Sequence, residues 1–187
     1  ELLSRANIKS CFIKKYYTNQ LDEQKILENN GKLFKSKKRI NSTDQAISEG
    51  YKIALFDDGL QDMSLNYDLE FVCFNNISWI GNGLTIPSGP LRENLQKLKK
   101  YNNVFLIGNG ENTESIKIQI LNIDPNINIY EAKYIPLNMN EFKTKEKYLA
   151  FSGIGNHKTF ISMLKTNGLN IIKDLEFPDH YNYSKND

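Results

Sequence analysis

The feature that most constrains this chain is a short apolar run, Lys52-Ile53-Ala54-Leu55-Phe56, that stops at Asp57-Asp58-Gly59. An apolar run without polar alternation suits a strand buried on both faces of a parallel sheet. Parallel strands need crossover connections, usually helices, and the flanking sequence supplies them. Residues 22–30 read as a helix closed by Gly31. Residues 42–49 read as a second, with Ser42 and Gln45 forming a capping box and Gly50 ending the element. Cys11-Phe12-Ile13 and residues 69–74 are further strand candidates. Strands alternating with helices predict an α/β layered fold.

Around residues 79–90 the texture changes. Gly81, Gly83, Pro87, Gly89 and Pro90 crowd together and mark irregular backbone. A hinge is expected there, with a core domain over 1–80 and a smaller α/β domain over 81–187. Pro90 opens a predicted helix striped by Leu91, Leu95 and Leu98. Strands are predicted at 104–107, 116–120, 127–134 and 148–151. A helix carrying Phe160, Ile161 and Leu164 ends at Gly168, and a last strand over 171–177 runs into Pro178-Asp179-His180.

Composition excludes more than it selects. With 187 residues, 40% hydrophobic and 25% charged, the chain is of ordinary globular type. A net charge of +2 does not argue for nucleic acid. It is compatible with an anionic membrane surface or a phosphate without pointing to either. No stretch approaches the roughly 20 apolar residues that span a bilayer. Cys11 and Cys73 both sit in apolar runs and are expected as buried free thiols. Glu1-Leu2-Leu3-Ser4-Arg5 has neither a signal peptide nor an initiator Met and reads as a helix entered midway. A fragment is therefore expected.

Four segments could carry chemistry. Ligand sites of open α/β sheets lie at the carboxyl ends of strands, which is where Asp57 and Asp58 fall. Adjacent carboxylates are costly to desolvate without a cation, and Mg²⁺ takes one or two of them beside phosphate oxygens. A solvated Asp-Gly turn is the competing reading. Gly81-Asn82-Gly83 and Pro87-Ser88-Gly89-Pro90 precede Leu91-Arg92-Glu93. Turn amides and a helix N-terminus there would suit an anion, with Arg92 as a planar clamp, or else Arg92 and Glu93 only decorate a surface. His180 beside Asp179 could serve as a general base, although most lone histidines are structural or exposed. His157, at a helix start, reads as surface. Asp22, ahead of Glu23, is either an N-cap or a functional carboxylate.

Taken in order, these segments resemble the tetraacyldisaccharide 4'-kinase (lipid A 4'-kinase) family. The matching text is Asp22-Glu23, Asp57-Asp58-Gly59-Leu60-Gln61, Gly81-Asn82-Gly83, Pro87-Ser88-Gly89-Pro90-Leu91-Arg92-Glu93, Phe151-Ser152-Gly153-Ile154-Gly155-Asn156 and Phe177-Pro178-Asp179-His180 with Tyr183. The resemblance covers essentially the whole chain. It implies a P-loop NTPase-like parallel-sheet core with a second, smaller α/β domain. The implied reaction moves the γ-phosphoryl of ATP to the 4'-hydroxyl of a tetraacylated glucosamine disaccharide 1-phosphate, at the cytoplasmic face of a bacterial inner membrane.

By the same resemblance Asp57 and Asp58 hold Mg²⁺, and Asp58, Gln61, Arg92 and Glu93 belong to the nucleotide or substrate cleft. Asp22 pairs with His180, with Asp179 in support. No G-x-x-x-x-G-K-[ST] occurs in the chain, so the phosphate-cradling loop is expected upstream and the chain alone is expected to be inactive. Two positions depart from the family pattern, His157 and Gln24, both where a proline is usual. A non-catalytic α/β binding module and another P-loop small-molecule kinase are the alternatives.

Overall fold

Among the described residues every strand pairing is parallel, as the unalternating apolar runs predict. The structure is a computed structural model that describes residues 2–17, 21–179 and 181–184. It divides into two units, 1–68 and 69–187.

The first unit runs α1 (Leu2–Arg5), β1 (Ser10–Lys15), α2 (Leu21–Asn30), β2 (Leu33–Ser36), α3 (Arg39–Ser48) and β3 (Ile53–Phe56). Its sheet has the order β2-β1-β3, with β1 central. Period-2 alternation turns Cys11 and Ile13 to one side of β1, where both are buried with Phe34 and Ala46. Tyr51, Ala54 and Phe56 close over them. Helix α3 starts at Arg39, earlier than the capping-box reading expected. Ser42 therefore lies inside the helix, buried, with its hydroxyl 2.7 Å from that of Ser36. The box is not made because the helix already starts three residues before Ser42.

The second unit contains β4 (Val72–Asn75), β5 (Asn103–Ile107), α4 (Thr113–Ile123), β6 (Asn128–Ala132), β7 (Lys147–Ser152), α5 (His157–Thr166) and β8 (Asn170–Glu176). Strands β4-β5-β6 form one sheet, and β7-β8 form a two-stranded pair. Pairing of β4 with β5 ties the residues just past 68 to this unit, so 79–90 lies within it. Its core is Leu98, Val104, Leu106, Ile116, Ile120 and Ile127.

Three local expectations are corrected here. Residues 116–120 are helical, not a strand. Ile116, Ile118 and Ile120 imitate a period of two, but Ile116, Ile120 and Ile123 fall at i, i+4 and i+7, and Ile118 is exposed. Pro90 does not open a helix; a 3-10 turn begins at Leu95, where the Asn94 side chain accepts from the Gln96 amide at 2.9 Å. Cys73 is exposed, and only Cys11 is a buried thiol. No helix among the described residues is long and apolar enough to cross a membrane.

Candidate functional site

Ile13 on β1 lies opposite Phe56 on β3, and the Asp57 amide donates to the Ile13 carbonyl at 3.0 Å. The next residue of each strand therefore stands beside its neighbour, Lys14 against Asp57. Lys14 is only 4% exposed. Its ammonium donates to Asp57 Oδ2 and, at 2.6 Å, to Glu23 Oε2 in the first turn of α2. Burial by itself would lower the lysine's pKa. The hydrogen bonds and charges of Asp57 and Glu23 outweigh burial and hold it above the ordinary lysine value. An ammonium so far from water is tolerable only because it is paired.

Beneath the acidic turn lies Arg39, 6% exposed. One guanidinium nitrogen donates to the carbonyls of Asp57 and Asp58 at 3.0 and 2.8 Å, and another reaches Asp62 Oδ2 at 3.4 Å. Its Nε is buried with no hydrogen-bond partner among the described residues. Both carbonyls meet one guanidinium because Asp58 adopts φ +52°, a left-handed backbone that Asp and Asn accept more readily than most side chains. Gly59 follows in a tight place. A Cβ there would fall 3.0 Å from Phe56 Cβ and 3.1 Å from the Tyr67 hydroxyl, which donates to the Gly59 carbonyl.

Asp62 accepts from the Ser64 hydroxyl and amide, which hold its pKa below the usual carboxylate value; Arg39 adds a smaller pull. A depressed folded-state pKa contributes stability above the unfolded value of about 3.9 and loses it as pH falls through the folded value. Asp62→Asn is therefore expected to lower the urea midpoint at pH 7, with the gap to the parent closing below about pH 4. A gap of equal size at pH 3 would remove the charge from the explanation.

The other expected residues are distributed as follows. Helix α2 starts at Leu21, so Asp22 lies within its first turn, exposed, rather than capping it. Gln24, at the position without the usual proline, is buried; its amide donates to the Tyr17 carbonyl at 2.8 Å and accepts from Lys35 at 3.2 Å. Gln61 is exposed on the loop after Gly59. Residues 82–91 close on themselves, with the Asn82 side chain donating to the Ser88 carbonyl and accepting from the Leu84 amide. A Cβ at Gly89 would sit 2.3 Å from the Leu84 carbonyl oxygen, which only glycine avoids. Arg92 and Glu93 are exposed in the bend that follows. Burial raises the Tyr101 phenol, and the charges of Glu93 and Glu70 raise it further.

Asp179 lies on a segment packed over the glycine loop between β7 and α5. Cβ atoms at Gly153 and Gly155 would meet Tyr181 Cβ at 2.9 Å and Asp179 Oδ2 at 3.3 Å. Phe151, Phe177, Tyr181 and Tyr183 form an aromatic cluster, with Phe177 and Tyr181 tilted at 4.8 Å and the other pairs edge to face at 5.3–6.4 Å. His180 itself lies outside the described residues. His157 is corrected: it is buried, not on the surface. Ser152 Oγ lies 2.6 Å from its Nδ1, and Asp174 Oδ2 lies 2.8 Å from its Nε2. With Nε2 donating to the carboxylate, Nδ1 accepts from the serine hydroxyl.

Asp57 and Asp58 present hard oxygen donors at a strand end, a donor set that fits a divalent cation shared with phosphate oxygens. No cluster of three or more His, Cys, Asp or Glu suited to a metal occurs among the described residues. Sequence reasoning missed Lys14 and Arg39. The available signal for Lys14 was a lysine at the carboxyl end of one strand beside an aspartate ending the next.

A family model described as Tetraacyldisaccharide-1-P 4'-kinase matches residues 20–187. A tetraacyldisaccharide 4'-kinase of Pelagibacter ubique is 63% identical over 187 residues, the whole of this chain and 60% of that protein. Those of Rickettsia canadensis and Wigglesworthia glossinidia brevipalpis are 42% and 37% identical over 72% of this chain, and over 40% and 36% of their own lengths. This chain thus spans 36–60% of the length of these relatives. A crystal structure of LpxK from Aquifex aeolicus, in complex with ATP, superposes with a TM-score of 0.64. It is 18% identical and is covered over 66% of its length, with 98% of this chain aligned. That likeness shows the parallel-sheet α/β fold.

Proposed function

Since the chain belongs to the tetraacyldisaccharide-1-P 4'-kinase family, we propose that the gene product phosphorylates the 4'-hydroxyl of a tetraacylated glucosamine disaccharide 1-phosphate with ATP. The observation that carries this reading is the extent of the family match. It runs over 20–187 and so includes every candidate residue from Asp22 to His180. Phosphoryl transfer requires chiefly alignment and charge neutralisation, with a base near the nucleophile. Asp57 and Asp58 are the oxygens that would hold Mg²⁺, which when bound neutralises charge on the polyphosphate. Lys14 holds the Asp57 carboxylate, and Arg39 holds the backbone carbonyls of Asp57 and Asp58.

Asp58, Gln61, Arg92 and Glu93 are assigned to nucleotide or substrate positioning. His180, Asp22 and Asp179 are assigned to the proton of the sugar hydroxyl. An acylated acceptor implies work at a membrane surface, and the cytoplasmic face of the inner membrane is the proposed location. The test is phosphate transfer from labelled ATP to the disaccharide by the full-length gene product. His180→Ala is expected to cut turnover by roughly 10²-fold or more, the range of a general base, while leaving ATP affinity near the parent value. Unchanged turnover would remove His180 from the chemistry. Absence of transfer by the parent protein would favour a binding module.

A further inference from the structure

Lys14 has so far only held the Asp57 carboxylate in place, yet it is the most deeply enclosed cation at the acidic strand end. We propose that Lys14 is a resident counter-ion that sets the divalent-cation affinity of Asp57, keeping it low until a polyphosphate brings its own negative charge. The inference rests on the reading of Asp57 as a cation ligand.

Three observations support it. The ammonium is shared between two carboxylates, Asp57 and Glu23, so that the trio carries one net negative charge instead of two. Its position is fixed, because the stem is enclosed and the β1–β3 register sets Lys14 beside Asp57. A side chain with no room to swing away remains as a positive charge when a metal ion approaches. Finally, Lys14 occupies one oxygen, Oδ2, of the carboxylate that a metal would use. Repulsion and loss of a donor oxygen act in the same direction, and both weaken binding of a bare cation. A metal arriving with nucleotide phosphates is already partly neutralised and feels the repulsion less.

Glu23 is the adjustable member. Its carboxylate is 42% exposed and lies on a different element, α2, so the fold survives its neutralisation. With Glu23 neutral, the full charge of Lys14 falls on Asp57.

The experiment measures Mn²⁺ alone, by loss of its free-ion electron paramagnetic resonance signal, against nucleotide-free full-length gene product. Lys14→Met is expected to tighten Mn²⁺ binding roughly tenfold, the scale of one unit charge near contact distance under water-like screening. Lys14→Arg keeps the charge and is expected to keep the parent affinity. Glu23→Gln is expected to weaken binding about threefold, an effect of opposite sign that remains readable if Lys14→Met does not fold. The gain in Lys14→Met should vanish when Asp57→Asn is added. If Asp57→Asn leaves Mn²⁺ binding unchanged, the reading of Asp57 as a ligand fails. If Asp57→Asn weakens binding while Lys14→Met and Glu23→Gln leave it at the parent value, the counter-ion role fails and the ligand reading stands.

Discussion

Asp57→Asn is expected to lower phosphate transfer by the full-length gene product about 10³-fold, with the fold retained. Asparagine keeps the shape of the side chain and its place after β3, so the strand register and the amide bond to the Ile13 carbonyl persist. What is lost is a negative charge at the carboxyl end of a parallel sheet. Removing a single preorganised electrostatic contact from a phosphoryl or acyl transfer site commonly costs on the order of 10² to 10³ in rate. Here the loss is compounded, because Lys14 loses one of the two carboxylates it bridges and keeps Glu23. Turnover with labelled ATP and circular dichroism of the same preparation check the two halves of the statement. A variant within tenfold of the parent rate would show that Asp57 is a structural turn residue.

Arg39→Met is expected to destabilise the first unit by about 3 kcal/mol, the scale for losing hydrogen bonds from one buried charged group. The guanidinium is the common donor to two successive carbonyls and to Asp62. Methionine fills much of the volume and supplies no donor, so both carbonyls must find water and the left-handed Asp58 loses its anchor. Arg39→Lys is expected to recover only part of the loss, since a single ammonium lacks the planar fork that serves the two carbonyls through one nitrogen and Asp62 through another. Urea denaturation gives the magnitude, and faster amide exchange over 57–62 locates it. A midpoint shift no larger than that of an exposed-surface substitution would contradict the assignment.

The acidic strand end was legible because the apolar run and its abrupt stop coincide, and both follow from burial in a parallel sheet. Helix α4 was not, because isoleucines at 116, 118 and 120 satisfy a short period-2 test that only the wider window through Ile123 resolves. Arg39 was hidden by its neighbours. Ser42 and Gln45 offered an attractive start signal, and nothing local shows that a guanidinium three residues earlier is claimed by carbonyls far along the chain. His157 was misjudged for a related reason: its partners, Ser152 and Asp174, come from two different strands. Their proximity is a property of β7-β8 pairing, which is invisible until the crossover is built. The family resemblance carried the order of the functional residues, whereas Lys14 required the register.

The same hydrogen-bonded histidine bears on how the second unit acquires its structure. His157 joins the end of β7 to β8 through a partner only 17 positions further on, across one helix. Closing so short a loop costs little chain entropy, and contacts of low sequence separation form quickly. The β7-α5-β8 segment can therefore organise early as a local nucleus, before the longer-range pairing of β4 with β5. The glycine loop that supports Asp179 would then be in place from the first stages of folding.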